Sequence, residues 1–380
     1  MSPVKKPSAW KHYQPKGNEP GPIEAVLWER IEANRVRCDL CAFRCIISPG
    51  HVGVCSVRHN VDGALYALNY LKATAFHVDP MEKKPLYHFH PGSPILSIAA
   101  PGCNFHCRFC QNSDVSQMPV EYDRIEGQPL APEWIVDQAI ERGCRSIAYT
   151  YTEPTIYAEY AMAIGAIAKD RGLTNVWVTN GYLTEEGMDL VGPYIDAANV
   201  DLKGMDDKFT LKVCGARHQP VLDTIRRMHE RGIWVEVSSV VIPGHNDDDE
   251  HIRQAAEFLA GVSRDIPWHL TAFHPDYHMM DVPSTPPDSL LRAVEIGRDA
   301  GLRYVYTGNT FGWESENTRC PDCGETVIRR SGFSIRDWGL NEGRCGKCGF
   351  AVAGVGLGTP PHIPQKSAGL RMPKPATLCG

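Results

Sequence analysis

Gly102-Cys103-Asn104-Phe105-His106-Cys107-Arg108-Phe109-Cys110-Gln111-Asn112 follows directly on an apolar, strand-like run at Ile95–Ala100. Three thiolates this closely spaced on one loop can hold three irons of a cubane [4Fe-4S] cluster. The fourth iron then lacks a protein ligand and can take a substrate or cofactor. Zinc competes poorly, because a structural zinc site closes with four ligands and His106 is badly placed as the fourth. Buried structural cysteine fits worse still, since these thiols stand among Gly, Asn and polar groups. Cys103, Cys107 and Cys110 are therefore the first candidate metal ligands.

Outward from this loop the chain alternates strand-like and helix-like runs. After Ile95–Ala100 the strand-like runs are Ser146–Thr150, Asn175–Thr179, Ala198–Leu202, Trp234–Val241, His269–Phe273 and Tyr304–Tyr306. Between them lie Pro132–Arg142, Ile156–Arg171, Thr184–Val191, Val221–Arg231, Asp248–Ala260 and Asp288–Ala300, with Pro132 and Thr184 as helix starts. Strand-then-helix repetition of this kind predicts an α/β fold, a partial (β/α)6 TIM-like barrel. It is shorter than the roughly 250 residues of a complete eightfold barrel. The expected organisation is a flexible arm at 1–21, a four-Cys module at 22–93, the barrel at 94–317, a zinc-ribbon-like module at 318–356 and a flexible tail at 357–380.

The bulk numbers suit that scheme. The 380 residues carry 39 Lys+Arg against 45 Asp+Glu, a net charge of −6, with 43% hydrophobic and 22% charged residues. Global disorder is excluded, nucleic acid is not indicated, and no apolar run reaches the roughly 20 residues of a membrane span. The polar, Pro-rich start shows no secretory signal, so the expected place is the cytoplasm. There the 14 cysteines are expected as ligands rather than disulfides. Besides the central loop they form Cys38, Cys41, Cys45 and Cys55, and Cys320, Cys323, Cys345 and Cys348; Cys144, Cys214 and Cys379 are left over. The paired Cys-x2-Cys form of the last group is that of a structural zinc ribbon. For the N-terminal four, zinc and a second [4Fe-4S] cluster both fit; the spacing does not decide, and the reading leans to zinc.

Cys103-x3-Cys107-x2-Cys110, with aromatic Phe109 before the last cysteine, resembles the signature of radical S-adenosylmethionine (radical SAM) enzymes. The resemblance implies a [4Fe-4S] cluster whose open iron is chelated by the methionine end of SAM. Tyr151-Thr152-Glu153 occupies the place of the superfamily's Gly-Gly-Glu, which makes Glu153 a candidate contact of the SAM amino group. Thr179-Asn180-Gly181 and Asp201-Leu202-Lys203 are similar to segments near SAM in glycyl-radical activating enzymes. Phe109, Asn180, Asp201 and Lys203 join Glu153 as candidate cofactor contacts. Each has a plain alternative: a helix cap for Glu153, a turn for Asn180 and a surface salt pair for Asp201 and Lys203.

A narrower likeness is carried by Asp79–Leu86, Pro91-Gly92-Ser93, Cys110-Gln111-Asn112 and Phe273–Tyr277. These look like the AmmeMemoRadiSam-system radical SAM enzyme, within the pyruvate-formate-lyase-activating-enzyme group. The resemblance implies reductive SAM cleavage, a low-potential flavodoxin or ferredoxin as reductant, and Memo-type or AMMECR-type proteins or a protein substrate as partners. It names no catalytic residue. The rival reading is a non-catalytic protein whose cysteines hold only structural zinc.

Overall fold

The computed structural model describes residues 22–309 and 314–361. The arm expected at 1–21, the tail beyond residue 361 and Cys379 lie outside the described residues. The centre is one eight-stranded sheet. In chain order its strands are β1 (Ala75–Pro80), β2 (Pro94–Ala99), β3 (Ser146–Tyr149), β4 (Thr174–Thr179), β5 (Ala197–Asp201), β6 (Trp234–Val241), β7 (Trp268–Ala272) and β8 (Val305–Gly308). Neighbours in sequence are neighbours in the sheet, and every pair from β2 to β8 is parallel. Helices α1 (Pro132–Glu141), α2 (Ala158–Asp170), α3 (Glu185–Val191), α4 (Gln219–Glu230), α5 (Asp249–Val262) and α6 (Pro287–Asp299) supply the crossovers.

These elements form for local reasons. Buried on both faces, β3 reads Ser-Ile-Ala-Tyr with no exposed position, as a parallel strand should. Helix α4 turns Val221, Leu222, Ile225 and Met228 inward at helical spacing, while Arg226 and Arg227 stay outside. Thr184 caps α3 as expected, its hydroxyl accepting from Gly187 N–H at 2.9 Å. Gly143 ends α1 with φ +67°, a conformation that costs a β-carbon-bearing residue dearly.

The antiparallel edge strand β1 lies inside the segment read as a separate N-terminal module. It pairs with β2 from Ala75↔Ala99 to Pro80↔Pro94. Its pattern hid it: Val78 is exposed and Asp79 buried, the reverse of an amphipathic alternation. After β1 the chain does not leave the sheet. Met81, Leu86 and Phe89 pack on Ile95, Ala148, Val176 and Ala197, so residues 81–90 form a plug against one face of these strands.

Two small modules flank the sheet. Residues 22–67 build two three-stranded antiparallel sheets. They are tied to α2 by Arg58, which meets the Glu159 carboxylate with both terminal nitrogens, at 2.5 and 2.9 Å. Residues 318–345 form a three-stranded sheet and a short hairpin over a core of Val327, Ile328, Ile335 and Leu340. The basic side chains of this module do not all face solvent. Arg330 is buried, donating to Tyr87 O at 2.8 Å with its guanidinium carbon 4.2 Å from the centroid of the Tyr87 ring. Among the described residues no helix is long and apolar enough to cross a membrane.

Candidate active site

At the carboxyl ends of the strands, where parallel α/β sheets place their chemistry, opens a cavity of about 400 Å3. It brings together Cys103, Cys107, Cys110, Phe109, Glu153, Asn180, Asp201 and Lys203, all eight residues proposed from sequence for the central site.

The cysteine loop is held from two sides. His106 N–H donates to Cys214 O at 2.9 Å and Arg108 N–H to Val213 O at 2.9 Å, stitching the loop to the segment before α4. On the other side Gln117 Oε1 accepts from His106 Nδ1–H at 2.7 Å and its Nε2 donates to Phe105 O at 3.1 Å. His106 Nδ1 is thus engaged by Gln117, and His106 is not among the residues that line the cavity. Ser116 Oγ lies 3.2 Å from Cys110 Sγ, and Phe105 N–H points at Cys103 Sγ at 3.4 Å. Burial, and next Glu153, pushes the Cys103 thiol well up; Cys214 is the main cause of the rise at Cys107; burial leads at Cys110. Thiols held this way surrender their protons to a metal rather than to water.

Glu153 is buried and caps the turn Pro154–Tyr157, so the plain reading is realised; yet it also lines the cavity. Its Oε1 accepts from Thr155 N–H, Thr155 Oγ1 and Thr179 Oγ1 at 3.0, 2.6 and 2.7 Å, its Oε2 only from Asn180 N–H at 2.7 Å. An acceptor position on Oε2 is therefore left over. Burial raises its carboxyl pKa against these donors. The Asn180 side chain donates to Asn104 Oδ1 at 2.7 Å and so braces the cysteine loop. Asp201 and Lys203 form a 2.9 Å ion pair, with the Lys203 side chain only 13% exposed. Its ammonium lies 5.6 Å from the Phe109 ring centroid. Burial opposes that charge, but Asp201 and the thiols of Cys107 and Cys214 outweigh it and raise the pKa.

Where the superfamily motif has glycine, Tyr151 stands at φ +66°, a left-handed conformation strained for a tyrosine. Its hydroxyl, donating to Asp79 Oδ2 at 2.7 Å, and Lys84 Nζ, 4.5 Å from the ring centroid, hold it there. Asp79 also takes Lys83, Lys84 and Ser97 Oγ, each at 2.8 Å. Burial pulls the Lys84 ammonium down to about 8 despite Asp79.

Several residues that line the cavity were not among the sequence candidates. Lys83, Lys84, His269, Asn309 and Phe333 line it, and Glu236 organises its floor. Glu236 accepts from His88 N–H and Trp234 Nε1 on Oε1, at 2.7 and 3.1 Å, and from Tyr87 N–H and His269 Nε2 on Oε2, at 2.9 and 2.7 Å. A lone acid inside the run Trp-Val-Glu-Val was the available signal. His88, whose ring bridges Ala353 O and Tyr306 Oη at 2.6 Å each, is structural.

The outer cysteine groups differ in spacing. In the C-terminal group the sulfurs of Cys320 and Cys348 are 3.5 Å apart, those of Cys323 and Cys345 3.7 Å. A Zn–S bond of about 2.3 Å demands about 3.8 Å across a tetrahedron, so this quartet fits zinc. Backbone N–H groups of Cys348 and Lys347 lower the Cys345 thiol to about 7, easing its deprotonation. Cys38, Cys41, Cys45 and Cys55 line one small cavity beside Arg58 and Asn104.

Comparison with known proteins adds a family. The model of the radical SAM superfamily matches residues 97–259. The chain is 42% identical over 332 residues to "Uncharacterized protein MJ0808" of Methanocaldococcus jannaschii, covering 87% of this chain and 98% of the relative. It is 21% identical over 181 residues to the pyruvate formate-lyase 1-activating enzyme of Escherichia coli (strain K12), 46% of this chain and 71% of that one. A solved domain of a pyruvate-formate lyase-activating enzyme from Bacteroides vulgatus superposes with TM-score 0.39 at 23% identity, over 43% of this chain and 99% of its own.

Proposed function

The chain belongs to the radical SAM superfamily, and from that membership we propose that it cleaves S-adenosylmethionine reductively and turns the product on a substrate of its own. The observation that carries the reading is the shared cavity: three loop thiols and five polar or aromatic candidate contacts on one concave surface. Cys103, Cys107 and Cys110 would hold a [4Fe-4S] cluster with one iron open. When bound, that group supplies one electron to the sulfonium, and the 5′-deoxyadenosyl radical so released abstracts hydrogen from substrate.

The chain's own residues bind and orient. Glu153 offers the remaining acceptor position of Oε2 to the SAM amine, a charge-assisted bond inside a dry site. Lys203, held by Asp201, presents a cation to the SAM carboxylate, and Phe109 walls the same corner. The plug 81–90, pinned by Glu236, closes the far end of a partial barrel against water, which protects a radical from side reactions. The C-terminal quartet serves as a structural zinc ribbon that clamps the plug through Arg330.

Kinship with activating enzymes supports a protein substrate and a low-potential flavodoxin or ferredoxin as reductant. The segments 79–86 and 273–277 support placement in the AmmeMemoRadiSam system, with Memo-type and AMMECR-type partners; Lys83, Lys84, Phe273 and His274 lie on the cavity wall. The rival all-zinc reading needs every cysteine group at zinc spacing. Among the described residues only Cys320, Cys323, Cys345 and Cys348 have all their sulfurs within 4.8 Å.

The test is anaerobic turnover with SAM and dithionite. Wild type is expected to form 5′-deoxyadenosine and the Cys103→Ala variant none. Equal rates in the two, or no product from iron-loaded wild type, would refute the proposal.

A further inference from the structure

We infer that Cys38, Cys41, Cys45 and Cys55 hold a second [4Fe-4S] cluster, closed by four thiolates, which passes electrons through a shared wall to the open cluster site. Chain spacing alone leaned toward zinc. The distances between sulfurs lean the other way.

A zinc ion needs four sulfurs about 3.8 Å from one another, a spacing that two pairs of the C-terminal quartet match at 3.5 and 3.7 Å. The N-terminal sulfurs are not drawn together in this way: among the described residues only the C-terminal quartet meets within 4.8 Å. They instead line one small cavity together. A cubane carries its thiolates outward on four separate irons and needs the wider spread. The same spread holds at the central loop. There too, the three sulfurs do not all lie within 4.8 Å of one another.

A second observation points to a sulfur-rich occupant. Asn104 lines this cavity and is wholly buried, and its Nδ2 has no hydrogen-bond partner. An unpaired buried amide donor is costly unless something accepts from it. The inorganic sulfides of a cluster are such acceptors, and hydrogen bonds to them tune its potential. Arg58, also on the wall, sets a buried cation beside the cluster's negative charge.

The wall is thin. Asn104 follows Cys103 in sequence, and its Oδ1 takes the Asn180 amide on the side of the central cavity. Thr155 and Ile156 line the N-terminal cavity, while Thr155 donates to Glu153 of the central one. One electron enters from a low-potential protein donor, taking the closed cluster from the 2+ to the 1+ state. The same electron leaves for the open cluster, restoring 2+, with no bond made and no proton moved. The electron-transfer role rests on the proposed SAM chemistry; the identity of the metal does not.

The test is metal and sulfide analysis of anaerobically purified full-length protein, with electron paramagnetic resonance after dithionite. Wild type should carry about eight irons, about eight sulfides and about one zinc per chain. The triple variant Cys103→Ala, Cys107→Ala, Cys110→Ala should keep about four irons and a reducible cubane signal. About four irons with about two zincs in wild type overturns the inference, whether or not the variant folds. The two readings fail separately. Eight irons without 5′-deoxyadenosine sinks the proposed function alone, and 5′-deoxyadenosine with only four irons sinks this inference alone.

Discussion

Replacing Glu236 by glutamine removes no volume and only one charge, yet it should loosen the cavity floor. Four donors converge on the two carboxylate oxygens: His88 N–H and Trp234 Nε1 on one, Tyr87 N–H and His269 Nε2 on the other. An amide has one acceptor oxygen, so either orientation of the new side chain turns its NH2 toward two donors. Each buried donor left unpaired costs about 1–3 kcal/mol, giving about 2–6 kcal/mol in all. The loss falls where the plug joins the sheet, so it should appear as local opening. Amide hydrogen exchange at Tyr87 and His88 is expected to accelerate at least about thirtyfold, the lower bound of that range. Acid should mimic the variant. Burial pushes the Glu236 carboxyl up, but the His269 ring and the plug amides outweigh it, so its folded pKa lies below the usual 4.5. Its contribution is therefore complete above pH 4.5 and is lost as pH falls through the folded value. Unchanged exchange at both amides in E236Q would refute the assignment of Glu236 as the pin of the plug.

Lys203→Ala should weaken SAM binding at least about tenfold, the worth of a charged hydrogen bond, with iron content unchanged; equal affinity by anaerobic titration removes Lys203 from the cofactor site. Burial lowers the His88 imidazole to about 4 from 6.5. Below pH 6.5 the unfolded chain takes a proton the folded one refuses, so up to about 3 kcal/mol is lost by pH 4. The stability slope over that window should be shallower in His88→Gln by about one proton, and identical slopes would contradict this. Stripping zinc from the C-terminal quartet should abolish exchange protection in Thr326–Ser331 and, through Arg330, weaken it at Tyr87; a ribbon that stays protected without metal refutes the structural role.

The strand–helix alternation from β2 to α6 was legible because each element buries one face or stripe, and that periodicity is written in the side chains. The central three thiols were legible as one group because three cysteines in eight residues are close in any fold. Asp201 and Lys203 share a strand face by period-two spacing, and they pair with each other, the plain alternative weighed for them. Strand β1 was not legible, since an edge strand with Asp79 inward and Val78 outward carries no period-two signal. Nor was Arg330, whose burial depends on Glu82 and Tyr87, more than two hundred residues away.

What the sequence by itself determined is the chemistry available: which residues are thiolates, which are carboxylates, and which share one loop or strand face. What only tertiary structure decided is separation. It brought four sulfurs within 4.8 Å of one another in one module and, among the described residues, left those of the other further spread, from cysteine spacings that permit either. It also turned Asn104 into a wall between two groups of cysteines. Chain spacing caps how far apart two ligands can lie; how near they come is set by how the backbone between them packs.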